Sequence, residues 1–109
     1  MAASQLRLTK PTLAVLMVLM NAEPNDRIWG FHLCEEADLG SGTVYPLLER
    51  LERRGLVRSF WEDPPPVDRP RRRYYELTSA GRQEVGAAIA ARNAARHRWL
   101  PGTTHGATV

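Results

Sequence analysis

The first half of the chain carries apolar runs separated by polar breaks, a pattern that predicts short helices. Thr9 can cap a helix whose first turn tolerates Pro11, and an unbroken apolar run follows at residues 13–20. Apolar residues fall on every side of this helix, so we expect it to be buried all round. The polar residues 21–27, which include a proline and two asparagines, end it.

A second helix is predicted from residue 28 to about residue 37, with Ile28, Phe31 and Leu33 facing the core. A tight turn follows at residues 38–42, where glycines flank a serine. Helices on either side of a glycine-bearing turn form a helix-turn-helix pattern, which is typical of proteins that insert the later helix into DNA.

The third helix has the clearest periodicity in the chain. Its apolar residues recur at intervals of three and four, which forms one stripe of a helix. They are Val44, Leu47, Leu48 and Leu51. Pro46 lacks an N–H group, so we expect it in the first turn of a helix that starts near Gly42 or Thr43 and is capped by Ser41 or Thr43. Gly55 is expected to end this helix.

After the third helix the residues become typical of β-strands. Residues 56–61 and 72–77 are predicted as two strands of an antiparallel hairpin. The connection between them is rich in proline, which excludes a regular ladder but stiffens the loop. An alanine-rich last helix is predicted from residue 78 to about Trp99, and residues 101–109 are predicted to be a disordered tail.

This order of elements predicts a mainly α, α+β fold, namely a winged helix-turn-helix with the order ααα-ββ-α. Residues 1–80 would form a DNA-binding domain, and residues 81–100 a C-terminal dimerisation helix. The third helix, about residues 42–54, would enter the major groove, and an arginine-rich wing, about residues 62–73, would contact the minor groove or the backbone. The predicted dimer interface consists of Val85, Ala88, Ile89, Arg92 and Trp99. The small residues of this helix could pack on the first helix or on a partner subunit, and we expect both contacts.

Charge is distributed unevenly, although the chain of 109 residues carries a net charge of only +3. Residues 1–40 hold three basic and five acidic side chains, so the basic surface must come from later segments. The wing places guanidinium groups at four of five consecutive positions, and arginine binds phosphate in a bidentate fork. These groups are Arg69, Arg71, Arg72 and Arg73. A solvated basic loop is the alternative interpretation.

Length and composition argue against several other classes of protein. The chain has the size of one domain with a modest core, which favours a dimer. Its longest apolar run falls well short of the roughly 20 residues of a membrane span. The single cysteine, Cys34, suits the cytoplasm. His32, His97 and His105 are too scattered for a metal site, and we expect neither a cofactor nor a catalytic group.

Three blocks of sequence resemble the PadR-like winged-helix transcriptional regulators. They are WGFHL at residues 29–33, GSGTVYPLLERLERRGL at residues 40–56 and RPRRRYYELTSAG at residues 69–81. The short C-terminal region is similar to that of the short branch of the family. The resemblance implies a DNA-binding regulator, usually a repressor, that forms a homodimer through its last helix. Two recognition helices in such a dimer predict a palindromic operator.

Specific residues follow from the resemblance. Carried over by position, Ser41, Thr43 and Tyr45 would face DNA from the recognition helix, and the wing arginines would contact it from the side. We add Arg53, which lies further along the exposed face of the same helix. Some short-branch members hold flat aromatic effectors with a tryptophan at the position of Arg92. The arginine here argues against that kind of effector, and both the existence and the identity of a small-molecule effector stay open.

A second function, from a different class, fits the same pattern. Glu49 and Glu52 lie on the exposed face of the recognition helix, where carboxylates repel phosphates. The chain would then be a winged-helix protein-interaction module that does not bind DNA specifically, and its basic hairpin would contact an acidic partner. Titration with DNA at low and moderate salt separates the two functions.

Overall fold

A computed structural model describes residues 6–23 and 25–99, which form four helices and three strands. The predicted tail at residues 101–109 lies outside the described residues. In chain order the elements are α1 (Lys10–Asn21), β1 (Ile28–Trp29), α2 (Gly30–Ala37), α3 (Ser41–Arg53), β2 (Val57–Trp61), β3 (Arg73–Leu77) and α4 (Ser79–Trp99). The winged helix-turn-helix fold is confirmed, with β1 as an addition to the predicted order.

Helix α1 begins as its sequence predicts. The Thr9 hydroxyl accepts a hydrogen bond from the Thr12 backbone N–H at 3.3 Å, which satisfies one of the free donors of the first turn. Burial is less complete than the apolar run suggests, because Leu16 and Leu19 are buried whereas Met17 is 40% exposed. The prediction of a helix buried all round is therefore wrong, and one side of α1 faces outward.

Strand β1 occupies the place where the second helix was predicted to start. Ile28 and Trp29 pair in antiparallel register with Tyr75 and Tyr74 of β3, and helix α2 begins only at residue 30. The pairing satisfies backbone groups of β3 that an edge strand would leave open. Because α2 starts two residues later than predicted, Phe31 lies outside the core and is 54% exposed, which corrects its predicted inward position.

Helix α3 buries the predicted stripe but starts earlier than predicted. Val44, Leu47, Leu48 and Leu51 are all buried. The N-cap is Gly40, which offers no side-chain hydrogen bond, so neither Ser41 nor Thr43 caps the helix. Pro46 consequently lies inside the helix rather than in its first turn. Both Pro46 and Gly42 are exposed, so water can satisfy the carbonyl that the missing N–H leaves open.

The three strands form one antiparallel sheet in the order β1-β3-β2. Gly55 has φ of +78°, a left-handed conformation that favours glycine, and it turns the chain from α3 into β2. The core lies between the helices and the sheet. Its fully buried side chains include Leu16, Leu33, Val44, Leu48, Val57 and Val85. The fold therefore places α3 and the β2–β3 hairpin side by side on one surface.

Candidate nucleic-acid interface

The first turn of α3 presents open polar groups to solvent. Ser41, Gly42 and Thr43 are all exposed, and the turn contains no acidic residue. Because Gly40 supplies no capping side chain, the free backbone N–H groups and the positive end of the helix dipole face outward. This combination is suited to an anion such as a phosphate group.

Tyr45 of α3 packs against the start of α2, next to β1. Its ring is 44% exposed, and its hydroxyl packs so closely on Gly30 that a Cβ atom there would lie 2.0 Å from the oxygen. Further along α3, Arg53 lies 3.8 Å from Glu49 in an exposed ion pair one helical turn apart. Such pairs contribute little to stability, so the Arg53 guanidinium is available to a ligand.

Arg69 is held by a carboxylate rather than presented to solvent alone. Its Nη1 and Nη2 atoms donate to Oε1 and Oε2 of Glu62 at 2.9 and 2.8 Å, which is a bidentate pair. The Arg69 guanidinium, with a hydrogen bond from the Arg72 backbone N–H, lowers the pKa of Glu62 to about 2. Both side chains of the pair are therefore charged at neutral pH.

Arg72 stacks on an aromatic ring instead of pairing with an acid. Its guanidinium carbon lies 3.8 Å from the centroid of the Trp29 ring. Its Nε atom is buried and has no hydrogen-bond partner among the described residues. The face of a tryptophan attracts a cation but does not neutralise it, so the Arg72 charge stays available to an anion.

Trp61 carries two further arginines. The guanidinium carbons of Arg71 and Arg73 lie 5.0 and 4.9 Å from the centroid of its ring, which is 47% exposed. Arg73 also donates to the Ser59 hydroxyl at 2.7 Å, and that hydroxyl donates to Glu52 at 2.7 Å. Glu52 is therefore tied to the wing rather than free on the surface of α3.

A groove of about 450 Å³ separates α3 from the wing. Four arginines and several aromatic rings line it, and no carboxylate does. Its walls are formed by Trp29, Gly30, Tyr45, Trp61, Arg69, Pro70, Arg71, Arg72, Arg73 and Tyr75. Burial raises the pKa of Tyr75 above its usual value, so this ring stays neutral beside the cations. The groove thus brings the predicted Tyr45 and all the predicted wing arginines together.

Comparison with known proteins identifies the family. The family model described as the transcriptional regulator PadR-like family matches residues 31–87, which contain α3 and the whole wing. The chain belongs to the PadR-like family. Members of this family are transcriptional regulators rather than enzymes.

Solved structures agree with the PadR-like assignment. An X-ray structure of a PadR-like transcription factor from Bacteroides fragilis has a TM-score of 0.63 and 27% identity, covering 82% of this chain and 87% of that one. A PadR family regulator from Clostridium difficile R20291 has a TM-score of 0.66 and 19% identity, with coverage of 81% and 92%. MepR from Staphylococcus aureus shares the fold at a TM-score of 0.62 and 20% identity, covering 83% of this chain and 61% of MepR. No curated protein matches the sequence significantly.

Sequence analysis missed several residues of this PadR-like surface. Trp61 was predicted only as the last residue of a strand, but it is half exposed and lies against two guanidinium groups. Trp29 was predicted to lie in a helix, and Glu62 was not singled out at all. Both tryptophans precede the arginine-rich loop in sequence, and the attraction of a tryptophan face for cations was the signal that could have linked them to it.

The predicted dimerisation residues have different environments in α4. Val85 is fully buried in the core of the single chain, so its side chain is not available to a partner. Ala88, Ile89 and Arg92 are half-buried, and Ala88 and Arg92 line a surface groove together with Leu6 and Leu8. The side chain of Trp99 lies outside the described part of the structure.

The described residues contain neither a cluster suited to a metal ion nor a helix suited to a membrane. Among residues 6–23 and 25–99, no three or more His, Cys, Asp or Glu side chains come together in a way that could hold a metal ion. In the same residues, none of the helices has both the length and the hydropathy of a membrane span.

Proposed function

We propose that the protein is a sequence-specific, double-stranded DNA-binding repressor that acts as a homodimer in the cytoplasm. Helix α3 would enter the major groove, which is wide enough to admit a helix, while the wing would follow the minor groove or the backbone. Regulation of transcription is the activity of the PadR-like family, and we infer the grooves, the dimer and repression for this chain.

The groove between α3 and the wing is the observation that carries this proposal. It is lined by guanidinium groups without any carboxylate, and Tyr45 of α3 forms one of its walls; the first turn of α3 also lacks acidic residues. Positive charge with open donors along one surface is the electrostatic footprint of a protein that binds nucleic acid. The modest net charge of +3 does not oppose this, because the cations are concentrated where the duplex would lie.

Individual contacts divide between positioning and sequence recognition. The Ser41 and Thr43 hydroxyls, with the adjacent backbone N–H groups, would hold a phosphate at the start of α3. Tyr45 and Arg53 lie on the exposed side of the helix and would reach base edges or the sugar-phosphate backbone. Arg71, Arg72 and Arg73 would contact the flanking backbone or minor groove, because none of them is paired with a carboxylate in the described residues.

A homodimer through α4 is supported by the small side chains on its surface. Ala88 and Ile89 are only half-buried within one chain, and Ala91 next to them is exposed. Small residues allow two helices to approach closely. A two-fold dimer would place two copies of α3 about 34 Å apart, which predicts a palindromic operator with half-sites one helical turn apart.

Selection of genomic fragments tests the proposal directly. The purified protein is incubated with sheared DNA at about 150 mM salt, where non-specific binding is weak, and bound fragments are sequenced. Recovery of one palindrome, with a complex mass equal to two chains per site, is the expected result. Absence of any enriched sequence would instead favour the protein-interaction module. Glu49 supports that second function, since 73% of its side chain is exposed on the recognition helix.

A further inference from the structure

We propose that Glu62 and Arg69 form a clasp that positions the wing, and that Arg69 is not a phosphate ligand. The inference rests on the proposed DNA-binding function but assigns these two residues a role that the arginine pattern alone does not suggest. An acidic residue in a DNA-binding loop is expected to oppose binding by repelling phosphates. The clasp predicts the reverse for Glu62.

The Glu62 carboxylate is a junction of four hydrogen bonds. Oε1 accepts from Arg69 Nη1 at 2.9 Å and from the Arg72 backbone N–H at 3.2 Å. Oε2 accepts from Arg69 Nη2 at 2.8 Å and from the Tyr74 hydroxyl at 3.4 Å. The Glu62 backbone N–H donates in addition to the Arg72 carbonyl at 2.8 Å. One side chain therefore joins the end of β2, the tip of the wing and the start of β3.

The wing segment between β2 and β3 is not stabilised by strand pairing. Residues 63–71 contain four prolines and lie outside both strands of the hairpin. Proline removes the N–H groups that a ladder would use. The clasp fixes the far end of this segment at Arg69, and it fixes the backbone of Arg72 directly. Arg71 lies between those two fixed points, so its direction toward Trp61 depends on them.

The Arg69 guanidinium is already paired with groups of the protein itself. Its guanidinium is paired with both oxygens of Glu62, and Nη1 also donates to the Pro70 carbonyl at 3.2 Å. A DNA phosphate would have to displace a bidentate partner that costs no association entropy, whereas Arg71 and Arg72 offer guanidinium groups with no carboxylate to displace. Binding to phosphate therefore falls to the stacked arginines.

Two substitutions separate positioning from simple electrostatics. If charge alone mattered, Glu62→Gln would tighten DNA binding and Arg69→Ala would weaken it, and the double variant would return close to the wild type. If the pair acts as a clasp, either substitution loosens the same loop, so both weaken binding, and the double variant is no weaker than the weaker single variant.

The experiment measures fluorescence anisotropy of a labelled random 20-base-pair duplex at several salt concentrations. We expect each single variant to lose about tenfold in affinity, the cost of ordering a loop on binding, with no further loss in the double variant. Arg71→Ala alone should lower the salt slope by about 0.9, and because the clasp orients Arg71, its loss should combine with that of Glu62→Gln to less than their product. Arg53→Ala, which lies on α3 outside the clasp, is the control whose loss should multiply with that of Glu62→Gln. Unchanged or tighter binding by Glu62→Gln would overturn the proposal.

A second measurement keeps the clasp and the DNA-binding function apart. Failure of the wild-type protein to bind any duplex at low salt would refute the proposed function. The clasp is then decided by hydrogen exchange at the Arg72 amide, which donates to Glu62. We expect the Arg72 amide to exchange about tenfold faster in both single variants. The exchange rate of the buried Leu16 amide should stay unchanged, which shows that the fold is intact. Equal exchange in wild type and variants would overturn the positioning role.

Discussion

Replacing Gly81 with alanine tests how closely α4 packs on the start of β2. Gly81 lies in the first turn of α4 and is buried, and a Cβ atom built on it would lie 2.0 Å from the Leu56 carbonyl oxygen and 2.8 Å from its carbon. The neighbour is backbone, which cannot rotate away. Helix and strand would have to separate by more than about 1 Å to reach ordinary van der Waals distance.

Two effects of Gly81→Ala lower the free energy of unfolding. Overpacking of a tight contact typically costs about 1–3 kcal/mol. The same carbonyl accepts the Thr78 backbone N–H at 3.0 Å, and loss of that hydrogen bond adds about 1 kcal/mol. We therefore expect Gly81→Ala to lower the free energy of unfolding by about 2–4 kcal/mol, even though alanine is the better helix former.

Gly86→Ala is the matched control, because it makes the same change in the same helix. A Cβ atom at Gly86 would meet only the Met20 methyl group at 3.9 Å, which is ordinary contact. Alanine should then stabilise the helix by about 0.5–1 kcal/mol. Urea unfolding of both variants measures whether each substitution raises or lowers the free energy of unfolding. Both are unfolded at one protein concentration, because the stability of a dimer depends on concentration. A Gly81→Ala protein as stable as Gly86→Ala would refute the packing argument.

Three further predictions concern the DNA-binding surface. Thr43→Glu should raise stability by about 0.5 kcal/mol through the dipole of α3 yet weaken DNA binding; unchanged affinity would contradict a phosphate site there. Gly30→Ala should displace the Tyr45 ring and change DNA affinity as much as Tyr45→Ala does. If the double variant loses more DNA affinity than either single variant, Gly30→Ala does not act through Tyr45. The pKa of Glu62 is lowered from 4.5 to about 2, so the clasp persists above pH 4.5 and opens as pH falls toward 2. The measurement is the NMR chemical shift of the Arg72 amide as a function of pH. A transition with its midpoint at pH 4.5, or one that persists in Glu62→Gln, would refute the lowered pKa of Glu62.

Much of the helical framework could be predicted from the sequence because burial leaves a periodic trace. The stripe on α3 from Val44 to Leu51 is such a trace, and every member of it is buried. Strand β1 left none, because two residues are too few to show alternation and Ile28 fits a helix as readily as a strand. Because the second helix was predicted to start at residue 28 instead of residue 30, Phe31 was placed on the wrong face of it.

The binding surface could be predicted only as a set of residue types. Arg69 and Arg72 are equivalent in sequence, yet one is paired with Glu62 and the other stacks on Trp29. That difference arises from contacts between segments far apart along the chain, which the hairpin and β1 bring together. Local patterns contain no information on such pairings, so the division of labour within the wing emerges only from the structure.

Strand β1 fixes the spacing between the recognition helix and the wing. Its two residues lead directly into α2 and pair with β3, so the helix-turn-helix and the hairpin are joined by backbone hydrogen bonds into one body. Such a body suits duplexes whose grooves have one particular width. A-form duplexes have a deep, narrow major groove that excludes a helix. The protein should therefore discriminate B-form DNA from double-stranded RNA of the same sequence by shape alone, before any base is read.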